Sequence, residues 1–346
     1  MNSNSIVIMA GGAGTRLWPK SRLKKPKQLY ALVNNDSMIR NTVNRLIPVV
    51  GEKNIFIATN VNQAQEIAKE LPELKNNILI EPFVRNTAPC IGLGALKMIE
   101  TAETVAFLPS DHYIGNVKEF QKVLKEAFRV AQKDYLVLIG IRPTDPDTGL
   151  GYIEMGNNLE KDVYKVRRFV EKPDLKTAQK YLKSGKFLWN GGMFIAKPKF
   201  ILELFKKHSR GIYKNLENIK DSPKNLNKIY EKMENISFDY AIAEKAEKIA
   251  VIPGDFAWSD IGNWKKLLEM LSRKDQENTI VGCEHYGVET SGCLIHGTDR
   301  LVATIGLKDI IVVDTPDVVL ICHKDKAQEV RKVVEILKLK GQEKYL

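Results

Sequence analysis

Short apolar runs and amphipathic stretches alternate through the first 140 residues of the chain. The runs at 6–9, 54–58, 78–80, 105–108 and 135–139 have the length and apolar content of strands, and the stretches between them carry apolar residues at helical spacing. That alternation predicts parallel β–α–β crossovers within one open, mostly parallel sheet of an α/β domain. Ligands of such sheets collect beyond the carboxyl ends of the strands, where Gly11, Glu81 and Asp111 are expected.

From residue 142 the pattern loosens into turns, with a hairpin expected around Gly149-Leu150-Gly151 and strands ending near Lys172 and Ile195. These read as an insertion into the same domain. Helices are predicted over 198–208 and 223–234, then one capped by Ser237 and running towards Lys248, followed by a strand over 248–252. After a helix over 263–271, residues 279–322 are dense in Val, Ile and Gly in short alternating runs, and 325–339 read as a helix. The expected division is therefore an α/β domain over 1–271 and a small β-rich domain with a terminal helix over 272–346.

At 44% hydrophobic and 27% charged residues the composition is that of a water-soluble globular protein. No apolar run approaches the roughly 18 residues of a membrane span. The first ten residues lack the basic start and long apolar stretch of a signal peptide, so a cytoplasmic protein is expected. The net charge of +11 raises the question of nucleic acid or a membrane surface. Lysines alternate with glutamates over 118–133 and 243–248, as on solvated helix faces, and no aromatic-basic platform accompanies them. Neither nucleic acid nor membrane is expected as a partner. The four cysteines form no Cys-x-x-Cys pair. Cys283, His285, Cys293 and His296 could supply a tetrahedral zinc set, although strand alternation produces the same spacing.

The chemistry concentrates in Ala10-Gly11-Gly12-Ala13-Gly14-Thr15-Arg16-Leu17-Trp18-Pro19, which follows the first strand, and in Pro26-Lys27-Gln28. Glycines let backbone N–H groups approach an anion closely, and Arg16 and Lys27 add cationic charge. A P-loop would need Lys-Ser/Thr after the last glycine, where this chain has Thr15-Arg16. A dinucleotide fingerprint counted from Gly12 and Gly14 would need glycine at Leu17.

This run resembles the signature of the sugar nucleotidylyltransferases, most nearly the mannose-1-phosphate guanylyltransferases. The resemblance continues through Arg85-Asn86-Thr87-Ala88-Pro89, Leu108-Pro109-Ser110-Asp111-His112, Thr148-Gly149-Leu150-Gly151-Tyr152-Ile153, Phe169-Val170-Glu171-Lys172-Pro173, Asn190-Gly191-Gly192-Met193-Phe194 and Trp258-Ser259-Asp260-Ile261-Gly262. It implies a Rossmann-like nucleotidyltransferase domain, and for the C-terminal segment stacked β-helix-like turns of the kind used in dimer contacts, hence a homodimer. The implied reaction joins GTP and mannose 1-phosphate into GDP-mannose with release of pyrophosphate.

The resemblance also implies roles. The loop from Ala10, Gly11 and Gly12 through Gly14, Thr15 and Arg16 would bind the nucleotide, with Arg16 on the triphosphate and Lys27 balancing charge at the α-phosphate. Guanine would lie against Ala10, Gly11 and Gly12, near Glu81, Arg85, Asn86 and Thr87; a helix cap competes for Asn86 or Thr87. Asp111 and Asp260 would hold Mg²⁺; each alone would read as a cap, and the surrounding motifs favour the metal. Lys172 would grip the sugar phosphate, and Glu171, Asn190 and the Gly151 backbone would cradle the sugar. A bare surface ion pair is the competing reading of Glu171-Lys172. Transfer of another nucleotide onto glucose 1-phosphate, and a catalytically silent sugar-nucleotide-binding subunit, stay open as alternatives.

Overall fold

The computed structural model describes residues 3–12, 14–22, 25–272 and 276–346. The chain packs into two compact units, and each gathers stretches distant in sequence. The larger comprises Met1–Gly11, Val43–Ser110 and Ile114–Trp258; the smaller comprises Gly12–Thr42, Asp111–Tyr113 and Ser259–Leu346.

In the larger unit the apolar runs become strands β1 (Ser3–Met9), β2 (Ile55–Asn60), β3 (Ile78–Glu81), β4 (Ala102–Pro109) and β5 (Leu136–Ile141). The later segments add β6 (Tyr152–Glu160), β7 (Val163–Val170), β8 (Phe187–Ala196) and β9 (Ile249–Gly254). They form one sheet in the order β3-β2-β1-β4-β8-β5-β9-β7-β6. The β1–β2, β2–β3, β1–β4 and β5–β9 pairs are parallel. Strand β8 runs antiparallel between β4 and β5, so the sheet is mixed. Ile6, Val7 and Ile8 are wholly buried, as expected for a central strand covered on both faces. Met9 pairs with Ala58 and with Pro109, and Asn60 pairs with Glu81, so the chain leaves β1, β2, β3 and β4 at one edge.

Four local expectations differ from the structure: of the helix expected over 223–234 only Leu226–Tyr230 is α-helical, after a 3₁₀ turn at Pro223–Asn225. The hairpin after residue 142 turns between β6 and β7, where Asp162 takes φ 57°, a conformation a short polar side chain tolerates. Gly149 and Gly151 instead lead into β6, with Gly149 N donating to Asp147 Oδ1 (2.7 Å). The segment after Ser237 forms only a π-helix, Asp239–Ala243, closed by an i→i+5 bond from Glu244 N to Asp239 O (3.0 Å). A 3₁₀ turn, Lys324–Glu329, precedes the terminal helix Val330–Leu339.

The smaller unit carries β10 (Thr279–Val281), β11 (His285–Val288), β12 (Leu294–His296), β13 (Val302–Ile305), β14 (Ile310–Asp314) and β15 (Val319–His323). Strands β10, β12 and β14 stack in parallel, as do β11 and β13, and β15 closes antiparallel on β14. This is the coiling expected of a β-helix-like domain. Its core joins Leu17 and Trp18 to Trp264, Leu294, Ile311, Val330 and Val334. Trp264 Nε1 donates to Trp18 O (2.9 Å) and Trp18 Nε1 donates to Tyr345 O (2.7 Å). The Arg22 guanidinium forks onto Asp317 at 2.7 and 2.6 Å. The stretch after the glycine loop is thereby fastened to the last residues of the chain.

Trp264→Ala removes a fully buried indole and orphans the Trp18 carbonyl. It should lower the unfolding free energy by about 3–5 kcal/mol. Urea unfolding measures this, and an unchanged midpoint would refute the packing role.

Candidate active site

In the smaller unit Gly14 takes φ 60° and opens the 3₁₀ turn Thr15–Leu17, with Leu17 N donating to Gly14 O (3.1 Å). A Cβ on Gly14 would lie 2.6 Å from Lys27 Cβ and 2.9 Å from Ser21 Oγ, so glycine is needed for space as well as for conformation. Thr15 is half-buried and Arg16 is exposed on this turn; Gly12 O accepts from Gln28 Nε2 (3.4 Å), and Ala13 lies outside the described residues.

Lys27 starts a second 3₁₀ turn and is only 5% exposed. Its Nζ donates to Asp111 Oδ2 (2.8 Å) and to the Asp260 carbonyl. One ammonium therefore draws together two of the acidic residues singled out in the sequence. Burial alone would raise the Asp111 pKa, but the charges of Lys27 and His112 outweigh it and hold this carboxyl below its usual range. Beside Asp260, the β-branched and fully buried Ile261 sits at φ 42°, a strained conformation for such a residue. A Cβ on Gly262 would come within 3.0 Å of Asp260 Oδ2. The Asp260 turn is thus shaped closely around its carboxylate.

Among the described residues no three His, Cys, Asp or Glu side chains gather as a metal cage. Two carboxylates of the hard-oxygen type are nevertheless what Mg²⁺ takes from a protein when waters and substrate phosphates supply the rest. Asp111 and Asp260 fit that ion. The suggested zinc set does not assemble in this way. Cys293 Sγ donates to Ser291 O (3.3 Å), and the His285 ring bonds to Thr304 Oγ1 (2.8 Å). His296 packs edge-on to Trp264, with its pKa pushed down by burial to about 3.

The larger unit holds the remaining residues in two neighbouring groups. In the first, Ala10 O accepts from Thr59 Oγ1 (2.8 Å), and a Cβ on Gly11 would lie 3.8 Å from Glu81 Oε1. Glu81 is 6% exposed, and its Oε2 accepts from Tyr230 Oη (2.5 Å). Burial raises its pKa against the hydrogen bonds from Tyr230 and Cys90. Arg85 donates to Glu231 O and lies over the Phe83 ring. Asn86, at φ 66°, caps the helix Thr87–Met98 by accepting from Thr87 N (2.9 Å), and Thr87 Oγ1 accepts from Phe238 N (2.8 Å). These two side-chain oxygens are engaged in building the segment.

In the second group a Cβ on Gly151 would fall 2.5 Å from Glu171 Oε2 and 3.3 Å from Asn190 Cβ, and Gly151 O accepts from Asn190 N (2.7 Å). Glycine alone admits this approach. Lys172, at φ 46°, bonds Glu171 Oε1 (2.6 Å). Burial would lower the Lys172 pKa, but Glu171 more than restores it. Asn190 Nδ2 donates to Asp239 Oδ1 (2.7 Å). Burial, helped by the Glu171 charge, lifts the Asp239 carboxyl to about 6. Gly151, Glu171, Lys172 and Asn190 do meet, around an acid the sequence had not flagged. Tyr230 and Asp239 were both missed because they act across 149 and 49 residues, and their own neighbourhoods read as ordinary helix.

Gly14→Ala should drive Lys27 out of position while leaving the core intact. Turnover should fall at least about tenfold, equivalent to ~1.4 kcal/mol of barrier. Steady-state kinetics alongside circular dichroism tests this, and near-normal turnover would show that the loop tolerates the added methyl.

Residues 5–277 match the family model described as nucleotidyl transferase, and residues 283–337 match a MannoseP isomerase/GMP-like β-helix domain. The chain is 36% identical over 352 residues to mannose-1-phosphate guanylyltransferase RfbM of Salmonella typhimurium, covering 98% of this chain and 73% of that protein. It is also 36% identical over 354 residues to alginate biosynthesis protein AlgA of Pseudomonas aeruginosa, covering 97% and 72%. A crystal structure described as mannose-1-phosphate geranyltransferase from Thermus thermophilus superposes with a TM-score of 0.92 at 34% identity, covering 97% of this chain and 99% of that one. With the glycine loop, the mixed sheet and the β-helix all accounted for, the chain belongs to the nucleotidyl transferase family.

Proposed function

We propose that this protein transfers GMP from GTP to mannose 1-phosphate, giving GDP-mannose and pyrophosphate. The observation that carries the reading is the Lys27 ammonium bound to Asp111 and to the Asp260 backbone beside a glycine loop. The names of the guanylyltransferase relatives supply the base and the sugar.

A phosphate oxygen of the sugar phosphate attacks the α-phosphorus of GTP, a new P–O bond forms, and the bond to the β-phosphate breaks with its electron pair leaving on pyrophosphate. The attacking oxygen is already ionised, so no protein base is required. What the protein must supply is alignment and positive charge at the phosphoryl group. Lys27 is held in place before substrate arrives and needs little reorganisation to meet the α-phosphate. Arg16, on its exposed turn, reaches the triphosphate. Asp111, kept ionised, and Asp260 would hold Mg²⁺, which would supply positive charge against the substrate phosphates. Lys172 takes the sugar phosphate, while Glu171, Asn190 and Gly151 receive sugar hydroxyls. Glu81 accepts hydrogen bonds from guanine, with Ala10, Gly11 and Gly12 against the ring and Arg85, Asn86 and Thr87 shaping its surroundings. We further read the protein as a cytoplasmic homodimer; the exposed Tyr286, Val288 and Ile305 on the β11–β13 pair favour association.

Pyrophosphate release, measured for each nucleoside triphosphate against mannose 1-phosphate and glucose 1-phosphate with Mg²⁺, should be confined to GTP plus mannose 1-phosphate and abolished by EDTA. Release with another pair would replace the substrates and keep the mechanism. Binding of GDP-mannose without turnover would favour the silent subunit instead. Asp260→Asn should lower turnover at least about a hundredfold (~2.7 kcal/mol) with the fold retained. Near-normal activity at limiting Mg²⁺ would remove Asp260 from the metal site.

A further inference from the structure

The carboxyl group of Glu81 is enclosed. Glu81, Tyr230 and Cys90 are 6%, 0% and 5% exposed, and both Tyr230 and Cys90 hydrogen-bond to the acid. Tyr230 Oη donates a hydrogen bond to Oε2, and Oε1 is the oxygen near Gly11. Arg85 is the further charged group near Tyr230.

We infer that Tyr230 is a positioning residue that fixes Glu81 as an acceptor-only carboxylate and thereby sets the preference for a guanine base. The inference rests on the reading of Glu81 as the base contact. An ionised carboxylate can only accept, whereas a protonated carboxyl also donates. Guanine offers two adjacent donors on its pairing edge, N1–H and the 2-amino group, which match two accepting oxygens. Adenine offers an acceptor, N1, beside its 6-amino donor, which matches a protonated carboxyl instead. The protonation and rotation of one acid therefore separate two classes of purine, and burial pushes this acid towards the wrong state. A hydroxyl that keeps its proton and is held in position to donate it in a hydrogen bond opposes that tendency. The tyrosine hydroxyl is such a group, because burial and the Glu81 charge raise its own pKa far above the usual value.

The neighbouring chain shows that Tyr230 belongs to a brace. Glu231 O receives Arg85, Ile236 O receives Ala88 N (3.2 Å), and Phe238 N donates to Thr87 Oγ1 (2.8 Å). The segment 230–238 thus grips 81–88 at four points, only one of which uses the tyrosine hydroxyl. Tyr230→Phe keeps the ring in its core and the other three contacts, so loss of the hydroxyl can be read without collapse of the segment.

Tyr230→Phe and Glu81→Gln are compared with the unaltered protein by kinetics with GTP, inosine triphosphate (which lacks the 2-amino group) and ATP, and by direct GTP binding across pH. For Tyr230→Phe we expect KM for GTP to rise about tenfold with kcat within about twofold. The GTP-to-inosine-triphosphate preference should shrink by a similar factor, and the acid-side loss of GTP binding should move to higher pH. If Glu81→Gln abolishes the GTP preference while Tyr230→Phe changes neither preference nor pH profile, the positioning role is overturned and the base contact stands. A fall in kcat alone for Tyr230→Phe also overturns it, as a merely structural effect. An unchanged preference in Glu81→Gln overturns the base contact and the inference together.

Discussion

The Lys27 ammonium is buried, and a cation removed from water must be met by oxygen atoms or lose its charge. In the smaller unit that requirement is met by Asp111 and by the backbone of Asp260, which stand 84 and 233 residues away. Meeting it fixes much else. Gly14 cannot carry a side chain because Lys27 packs against it, Ile261 accepts a strained backbone beside Asp260, and the stretch after the loop is fastened by Trp18 and Arg22 to the C-terminal residues. The position of the Lys27 charge is therefore set by the fold itself, the condition that preorganised electrostatic stabilisation requires.

The larger unit faces the opposite difficulty, that of burying acids. Glu81, Glu171 and Asp239 are each drawn away from water, and each is met by a specific donor: Tyr230, Lys172 and Asn190. Phe238 and Asp239 are consecutive, the first bonded to Thr87 and the second to Asn190. One stretch of chain thus supports both the Glu81–Thr87 group and the Gly151–Glu171–Asn190 group. The π-helical turn at Asp239–Ala243 falls at this junction, in keeping with the tendency of such turns to occur at functional sites.

Local chemistry made several parts of this arrangement readable in advance. Apolar runs mark most of the strands because burial on both faces demands them, and Gly14 and Gly151 announce close approaches because only glycine permits them. The direction of β8 was hidden, since side-chain alternation is the same in either sense along a strand. The hairpin was misplaced because a glycine pair is a stronger local turn signal than Lys161-Asp162, although the pairing of β6 with β7 decides where the chain reverses. Asn86 shows both levels at once: its capping bond is the local expectation, and its left-handed backbone is not.

The family and the α/β and β-helical classes are written in the order of amino acids, because each depends on a side chain's own chemistry or on spacing within a short motif. Which groups meet is a property of the folded chain alone. Folding set Lys27 on Asp111, Tyr230 on Glu81 and Asp239 on Asn190, and it imposed left-handed backbone on Lys172 and Ile261, where local preference opposes it. Those outcomes follow from satisfying buried charge and filling buried volume across long separations, conditions that no short segment carries alone.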